Sequence, residues 1–231
     1  MRIVLDGMGG DNAPQVVVEG AVASTKEMPH EIIIVGQEDA INECLKKTGY
    51  TGDKIRVVNA TEVITNEEAP VRAVRSKKDS SMVKGINMVK AGEGDVFISA
   101  GSTGALLAGG LFILGRIQGI DRPSLATVYP VIGSVPSLLT DAGANAECKP
   151  NNLLEFGIMG SVYMEKVMGR ENPTVGLVNN GSEEKKGTTL TKAAHEMLKK
   201  SHLNFIGNVE ARELPNGACD VIVADGFTGN A

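Results

Sequence analysis

This chain of 231 residues has few aromatic residues and no excess of positive charge. Tryptophan is absent, aromatic residues make up 3% of the chain, and the formal net charge is −5. Proteins that bind nucleic acids use basic surfaces and, for single strands, aromatic rings, so we expect no nucleic-acid partner. The longest strongly apolar stretch, residues 105–115, is shorter than the ~20 residues of a membrane-spanning helix. Peripheral contact with a membrane stays open.

Several cofactor and nucleophile motifs are also missing. Cys44, Cys148 and Cys219 lie far apart with no CxxC spacing, which is typical of reduced thiols in a cytoplasmic protein. His195 begins a segment like H-E-x-x-H, but Lys199 stands where the second histidine is required, so we expect no metal. Neither a Walker A motif nor a G-x-S-x-G nucleophile elbow occurs.

A nicotinamide cofactor is disfavoured by the glycine cluster Gly7–Pro14, which follows the first predicted strand. In the dinucleotide fingerprint G-x-G-x-x-G, Asn12 would occupy the third glycine position, and Asp11 would place a carboxylate beside a pyrophosphate. The cluster instead places Asp6, Asp11 and Asn12 at the carboxyl end of a central strand, where α/β proteins bind ligands, and Asp11 and Asn12 are candidates to orient a substrate. The alternative is a turn capped by an Asx side chain.

What the chain does have is a regular alternation of strand and helix patterns, with 42% hydrophobic residues. Continuous apolar runs such as IIIV and VIVA are typical of strands covered on both faces. The predicted strands are 2–6, 31–35, 54–59, 95–99, 125–131, 138–142, 174–179, 205–210 and 220–224. The predicted helices are 14–26, 39–48, 80–91, 103–114, 151–168 and 188–200. This order predicts an α/β fold, a three-layer α/β/α arrangement with a doubly wound, mostly parallel sheet.

The most informative stretch is residues 95–115, in which an apolar strand meets a turn of small residues and then a buried helix. The turn consists of Gly101, Ser102, Thr103 and Gly104. Backbone N–H groups at the start of a helix form an anion site, so this turn is a candidate phosphate-binding loop. The alternative is a glycine turn that only closes a βα unit.

Two polar clusters also follow predicted strands, at residues 140–150 and 179–188. Carboxyl ends of parallel strands share one sheet edge, where α/β proteins bind ligands, so we expect these clusters and the two glycine loops to line one cleft. Turn and capping roles remain open for each residue.

A basic stretch between residues 70 and 78 carries four positive charges and no acidic residue. It contains Arg72, Arg75, Lys77 and Lys78, and the two arginines would share one face of a helix. Such a stretch is either a solvated face or a landing site for phosphate or an acidic partner.

Six motifs occur together in a specific order: DGMGGDNAP, SAGSTGALLAGG, TDAGANAECKP, GLVNNGSEEKKG, NFIGNVEARE and ADGFTGN. In this combination the whole chain resembles the bacterial phosphate acyltransferases of the PlsX family. That family makes acyl phosphate from acyl-acyl-carrier-protein and inorganic phosphate for phospholipid synthesis. The resemblance implies a fold similar to phosphotransacetylases, usually in a homodimer, without metal or organic cofactor. It also implies peripheral attachment to the inner face of the membrane, where the product passes to a glycerol-phosphate acyltransferase.

The resemblance also implies roles for the candidate residues. Because phosphate is itself the nucleophile, no enzyme serine or cysteine is required. Lys149 and Lys186 are candidate cations for phosphate or the oxyanion, and Asp141 or Glu183 is a candidate acid for the departing thiolate. The substrate-orienting candidates are Asp11, Asn12, Asn145, Asn180 and Asn208. The candidates for binding acyl carrier protein are Arg72, Arg75, Lys77 and Lys78.

Two other functions remain open from the sequence. One is a phosphotransacetylase-like enzyme acting on acyl-CoA, and the other is a non-catalytic fragment that binds carrier protein. The chain stops just after the strand 220–224 and the turn GFTGN. We therefore expect one α/β domain over residues 1–231 that forms the N-terminal two-thirds of a longer family member, with low solubility and little activity by itself.

Overall fold

The computed structural model describes residues 1–231, which form two compact units, Met1–Gly115 and Arg116–Ala231. Each unit contains one sheet flanked by helices, as the α/β prediction requires. The chain therefore has two sheets, and the expectation of one domain over residues 1–231 stays a prediction. No helix is both long and apolar enough to cross a membrane.

The first unit has a fully parallel sheet of four strands in the order β3-β2-β1-β4. Its strands are β1 (Arg2–Asp6), β2 (Glu31–Gly36), β3 (Ile55–Asn59) and β4 (Val96–Ile98). Its helices are α1 (Gln15–Glu27), α2 (Glu38–Thr48), α3 (Pro70–Ser76), α4 (Ser81–Lys90) and α5 (Thr103–Gly109), and a π-helical turn (Gly110–Leu114) continues α5.

Alternation along β2 explains why this strand is buried on both faces. Ile33 and Val35 pack into one cluster with Met88 of α4, whereas Ile32 and Ile34 pack into another with α1 and α2. Successive side chains of a strand point to opposite faces, so a continuous apolar run needs cover on both. The sequence pattern IIIV predicted this burial, and the structure confirms it.

The second unit has a five-stranded sheet in the order β5-β6-β9-β7-β8. Its strands are β5 (Ala126–Tyr129), β6 (Ser137–Thr140), β7 (Thr174–Asn179), β8 (Asn204–Glu210) and β9 (Val221–Val223). The edge strand β5 is antiparallel to β6, and the other pairings are parallel. Its helices are α6 (Pro150–Lys166), α7 (Thr189–Lys199) and α8 (Gly226–Gly229), with a 3₁₀ helix at Ala211–Asn216.

The central strand β9 is fully buried on both faces. Val221 and Val223 pack with residues of α6 and α7, including Phe156. Ile222 packs on the other face with Leu214 of the 3₁₀ helix. The apolar run VIVA predicted cover on both faces, and the 3₁₀ helix with its neighbours supplies the cover on the second face.

The predicted helix starts agree with the structure where a capping residue marks them. The hydroxyl of Ser80 accepts a hydrogen bond from the N–H of Val83 at 3.3 Å, so Ser80 is the N-cap of α4. Most predicted boundaries differ from the observed ones by one or two residues, as in the strand predicted over 125–131, which spans 126–129. The helix predicted over 103–114 changes from α to π geometry at Gly110. The basic stretch, for which no helix was assigned, forms the short helix α3.

Candidate active site

Two glycine loops of the first unit meet at the carboxyl ends of β1 and β4, which are neighbours in the sheet. A Cβ atom on Gly9 would lie 2.9 Å from the backbone nitrogen of Gly101. A Cβ atom on Gly101 would lie 3.2 Å from Cα of Gly9. The two backbones therefore touch at a separation that only glycine permits. The expected convergence of these two loops is confirmed.

Asp6, the last residue of β1, lies beneath both loops and is 3% exposed. Its carboxylate accepts hydrogen bonds from the N–H of Met8 at 3.2 Å and from the hydroxyl of Ser99 at 2.7 Å. The Ser99 hydroxyl in turn accepts from the N–H of Gly101 at 3.0 Å. The sequence pointed to Asp6 only as one of the polar residues at the end of a central strand, and it assigned no role to Ser99.

The predicted phosphate loop is only partly open to solvent. Ser102 is 9% exposed, and its hydroxyl accepts a hydrogen bond from the N–H of Ala105 at 3.4 Å as the N-cap of α5. Thr103 and Gly104 are exposed at the first turn of that helix, where N–H groups have no intrahelical acceptor. An anion at this loop would therefore meet backbone donors and the Thr103 hydroxyl, while the Ser102 hydroxyl is engaged within the loop.

Asp11 and Asn12 are exposed in the turn that leads into α1. The carbonyl of Asn12 accepts a hydrogen bond from the N–H of Val16 at 3.2 Å, and no hydrogen bond involves either side chain. The turn capped by an Asx side chain, which was the alternative, is formed by Asp6, whose carboxylate accepts from the N–H of Met8 two residues on. Asp11 and Asn12 form no such cap, so their substrate-orienting role stays a prediction.

The basic helix α3 packs beside α5. The contact is close, since a Cβ atom on Gly104 would lie 2.8 Å from Cγ of Pro70. Arg72, Arg75 and Lys78 are exposed, and the Arg75 guanidinium lies 5.1 Å from the ring centre of Phe112.

Lys77 differs from the other three basic residues. Its ammonium group donates to the carbonyl of Val63 and to the carboxylate of Glu68, both at 2.6 Å. The charge of Lys77 is thus neutralised within the first unit, and this contact lowers the pKa of the Glu68 carboxyl. The interaction geometry favours a structural role for Lys77 over contact with a partner.

The segment that carries α3 is anchored at its far end by Asp79. Its carboxylate pairs with Lys84 and accepts hydrogen bonds from the N–H and hydroxyl of Thr61 at 2.8 and 2.7 Å. The Lys84 ammonium first, and then the Thr61 donors, hold the pKa of the Asp79 carboxyl well below its usual range.

In the second unit, the loop after β6 is organised by Asp141, which is fully buried. One carboxylate oxygen accepts from the N–H groups of Leu125 and Ala144 at 2.9 and 3.0 Å. The other accepts from the backbone N–H and the side-chain amide of Asn145 at 2.7 and 2.8 Å. Four donors account for the four acceptor positions of an ionised carboxylate. This geometry leaves Asp141 no place for a transferable proton and favours a structural role over the predicted acid role.

Asn145 is also engaged within the loop, which counts against direct contact with substrate. Its side-chain amide donates to the carbonyl of Pro123 at 2.9 Å as well as to Asp141. Its carbonyl accepts from the N–H of Gly226 at 2.8 Å, which joins this loop to the one that follows β9.

The loop after β9, Asp225–Asn230, belongs to the motif ADGFTGN, for which the sequence predicted no functional residue. A Cβ atom on Gly226 would lie 2.7 Å from the backbone nitrogen of Asn145, and one on Gly229 would collide with the carbonyl oxygen of Asp141. Asn230 contacts the same loop, because a Cβ atom on Gly143 would lie 3.1 Å from its Oδ1. The motif G-F-T-G-N was the signal for this packing, since both glycines are needed there.

Two buried residues, Asn208 and His195, support the loop after β7. The Asn208 amide donates to the carbonyl of Glu183 at 2.8 Å, and its oxygen lies 3.0 Å from Nδ1 of His195. His195 also packs edge-on against Phe205. Asn208 therefore contacts the loop instead of solvent, which favours a positioning role over the predicted contact with substrate.

Four candidate side chains are exposed at this edge of the second unit: Asn180, Glu183, Lys186 and Lys149. Neither lysine forms an ion pair, in contrast to Glu184, which binds Lys199 at 2.5 Å. The loops that carry these side chains follow β6 and β7, which flank β9. Each unit thus brings two of the four predicted loops to one sheet edge, and the single cleft lined by all four stays a prediction.

The environments of Cys148 and Cys219 disfavour these two thiols as nucleophiles. Burial raises the pKa of the Cys219 thiol to about 12. Burial also raises the pKa of Cys148, which donates a hydrogen bond to the carbonyl of Asn145 at 3.3 Å. Thiolates are the reactive form, so burial lowers the reactivity of both thiols.

Comparison with known proteins decides the family. The model of a family described as fatty acid synthesis protein matches residues 1–231. The chain belongs to this family. A phosphate acyltransferase of Alkaliphilus oremlandii is 58% identical over 230 residues, which cover 100% of this chain and 68% of that protein. A phosphate acyltransferase of Clostridioides difficile is 54% identical with the same coverage. The resemblance seen in the six motifs is confirmed.

Solved structures show the same fold for this member of the fatty acid synthesis protein family. A phosphotransacetylase from Streptococcus pyogenes has a TM-score of 0.70 at 21% identity and is matched over 100% of this chain and 79% of its own. A branched-chain phosphotransacylase from Enterococcus faecalis has a TM-score of 0.70 at 15% identity, covering 100% of this chain and 81% of its own. The expectation of a phosphotransacetylase-like α/β fold is therefore confirmed.

Proposed function

We propose that this protein is a phosphate acyltransferase that moves a fatty acyl group from an acyl-carrier-protein thioester to inorganic phosphate. The observation that carries the proposal is the 58% identity, over 230 residues, to a relative of that name. The acyl phosphate product would serve phospholipid synthesis.

The reaction is balanced without an enzyme nucleophile. A phosphate oxygen attacks the thioester carbonyl carbon, a C–O bond forms, and the C–S bond breaks to give acyl phosphate and a thiolate. The proton that monohydrogen phosphate loses is the one that the thiolate gains, so the enzyme has only to relay it. Orientation of the two substrates can supply about 7–11 kcal/mol of barrier lowering, and each oxyanion donor about 3–4 kcal/mol. The burial of Cys148 and Cys219 and the absence of a G-x-S-x-G motif from the sequence are consistent with this direct mechanism.

We assign phosphate binding to the loop 101–104, through its first-turn N–H groups and the Thr103 hydroxyl. Lys149 and Lys186, which have no carboxylate partner in the chain, are proposed to neutralise phosphate or the oxyanion. Glu183 is the proposed proton relay, since its carboxylate is exposed and forms no hydrogen bond, whereas that of Asp141 is saturated. Asp11, Asn12 and Asn180 keep their proposed roles as orienting groups.

Acyl carrier protein is the proposed second substrate, and the basic helix α3 is its proposed docking surface. Arg72, Arg75 and Lys78 present free positive charge there, whereas Lys77 is neutralised by Glu68. Carrier proteins are acidic, and complementary charge accelerates their association. A homodimer, a cytoplasmic location and peripheral contact with the membrane belong to the same proposal.

The test is a thioester-consumption assay with purified protein, long-chain acyl-acyl-carrier-protein and phosphate. We expect consumption that depends on phosphate and yields acyl phosphate, trapped as the hydroxamate. Acyl-CoA at the same concentration is the matched control. Faster reaction with acyl-CoA would favour a phosphotransacetylase-like enzyme, and carrier-protein binding without any phosphate-dependent turnover would identify a non-catalytic binding module.

A further inference from the structure

Asp6 is the one buried acidic side chain of residues 1–115, and no lysine or arginine pairs with it. Buried carboxylates are ordinarily paired with a cation or saturated with donors, because their desolvation is costly. The donors that meet Asp6 come from the two glycine loops, through the N–H of Met8 and the hydroxyl of Ser99. The buried carboxylate of Asp6 thus has two hydrogen-bond donors and no cationic partner.

The hydroxyl of Ser99 has one proton, and the 2.7 Å contact directs it to Asp6. Its oxygen is thereby left as an acceptor, which the N–H of Gly101 uses at 3.0 Å. Asp6 thus fixes the rotation of Ser99, and Ser99 fixes the direction of the Gly101 peptide. The same carboxylate holds the N–H of Met8 in the other loop.

The glycines pack tightly around this pair of hydrogen bonds. A Cβ atom on Gly9 would lie 2.6 Å from Oδ2 of Asp6, and one on Gly10 would lie 3.3 Å from the carbonyl oxygen of Ala100. Gly10 also has a φ of +102°, which L side chains rarely adopt. The first loop can approach the second only because these positions carry no side chain.

We propose that Asp6 and Ser99 are positioning residues that orient the loop 101–104 for phosphate, acting through Gly101 and not by touching the substrate. This inference rests on the proposed function, because it takes phosphate to be the ligand of that loop. The Gly101 N–H is bonded to Ser99, whereas Thr103 and Gly104 are exposed in the first turn of α5, where N–H groups have no intrahelical acceptor and are available to phosphate. Loss of the Ser99 hydroxyl frees the Gly101 peptide to rotate, which weakens phosphate binding.

The experiment compares Ser99→Ala with Ser99→Thr, which keeps the hydroxyl. Ser24→Ala is the matched control, since Ser24 is also half-buried and its hydroxyl bonds only a carbonyl of α1, at 2.8 Å. Phosphate is titrated into isotope-labelled protein, and the amide signals of residues 101–104 are followed by NMR.

We expect Ser99→Ala to raise the dissociation constant for phosphate about tenfold, the scale of one lost hydrogen bond to an organised polar group. Ser99→Thr should stay within about threefold of the wild type, and Ser24→Ala should not differ from it. In the acyl transfer assay the KM for phosphate should rise by the same factor, while the KM for acyl carrier protein should not change. A purely structural role would instead lower the thermal midpoint and affect both substrates equally.

Wild-type phosphate affinity in Ser99→Ala, or an equal loss in Ser24→Ala, would overturn the inference. Hydrogen exchange in the wild type gives a second measurement that needs no variant: the Gly101 amide should exchange more slowly than that of Thr103, and equal rates would count against the inference. If phosphate shifts the loop signals but no thioester is consumed, the proposed function fails and the positioning role stands. If turnover needs phosphate but Ser99→Ala changes neither its affinity nor its KM, the positioning role alone fails.

Discussion

Replacing Asp141 by asparagine tests whether this carboxylate holds the loop after β6 or donates a proton in catalysis. Asp141→Asn keeps the size and shape of the side chain but turns one oxygen into an NH₂ group. Each carboxylate oxygen meets two N–H donors, those of Leu125 and Ala144 or the two of Asn145. Whichever way the amide is placed, its NH₂ group faces two donors that lose their acceptor.

The expected cost follows from these contacts. A buried donor left without an acceptor costs about 1–3 kcal/mol, so two of them cost about 2–6 kcal/mol. Domains have net stabilities of about 5–15 kcal/mol, so the change should be large. Urea unfolding followed by circular dichroism measures it, and Asp11→Asn is the matched control because the Asp11 side chain is exposed and forms no hydrogen bond.

Amide hydrogen exchange locates the effect. We expect faster exchange at Leu125, Ala144 and Asn145 in Asp141→Asn, with no change at those amides in Asp11→Asn. If Asp141→Asn unfolds within about 0.5 kcal/mol of the control but loses acyl transfer, the carboxylate is a catalytic acid and the structural reasoning is wrong.

Three further predictions concern other parts of the chain. Gly229→Ala should destabilise the protein and lower turnover, because the new Cβ atom collides with the backbone carbonyl of Asp141. Gly20→Ala should instead stabilise the protein by about 0.5–1 kcal/mol, because this position in α1 has open space around it. Thermal unfolding of both variants checks this. Asp79→Asn should destabilise the protein at pH 7, because folding lowers the pKa of the Asp79 carboxyl. The resulting stability is fully present above the pKa of the unfolded state, about 3.9, and it is lost as the pH falls through the pKa of the folded state. The difference between wild type and Asp79→Asn in urea midpoint should therefore shrink below about pH 4, and a constant difference would refute this explanation. Charge reversal at Arg75 and Lys78 should raise the KM for acyl carrier protein and flatten its salt dependence, with kcat unchanged; an unchanged KM would show that α3 is a solvated face.

The strands could be predicted from sequence because the order of apolar and polar residues along each strand indicates its burial. All nine predicted strands are present, and the runs around Ile33 and Ile222 are continuous because both faces are covered. The direction of β5 could not be predicted, since the residues 126–129 would suit either orientation. The helix α3 was missed because only Ala73 and Val74 of its seven residues are buried, which is too little for a periodic signal.

The candidate site was predicted at the level of loops but not of side chains. Strand ends and glycine motifs indicate which loops lie at the ligand edge, and the pairing within each unit followed. The hydrogen-bond partners of a polar side chain depend on the tertiary structure, not on the local sequence. The donors of Asp141 include Leu125, 16 positions away, and those of Asp6 include Ser99, 93 positions away. Without those contacts, Asp141 could not be distinguished from a catalytic acid, and Asp6 could not be linked to Ser99.

The inward-facing carboxylates Asp6 and Asp141 have a consequence for how this protein can change. Both accept hydrogen bonds only from backbone N–H groups and from the inward-facing side chains of Ser99 and Asn145. The shape of the loops therefore does not depend on the exposed side chains that the loops carry. Substitutions at Asp11, Thr103 or Asn180 should leave the free energy of unfolding within about 0.5 kcal/mol of the wild type. Framework and recognition are thus encoded by different residues, and the choice of acyl donor can be redesigned, or can drift in evolution, without endangering the fold that presents it.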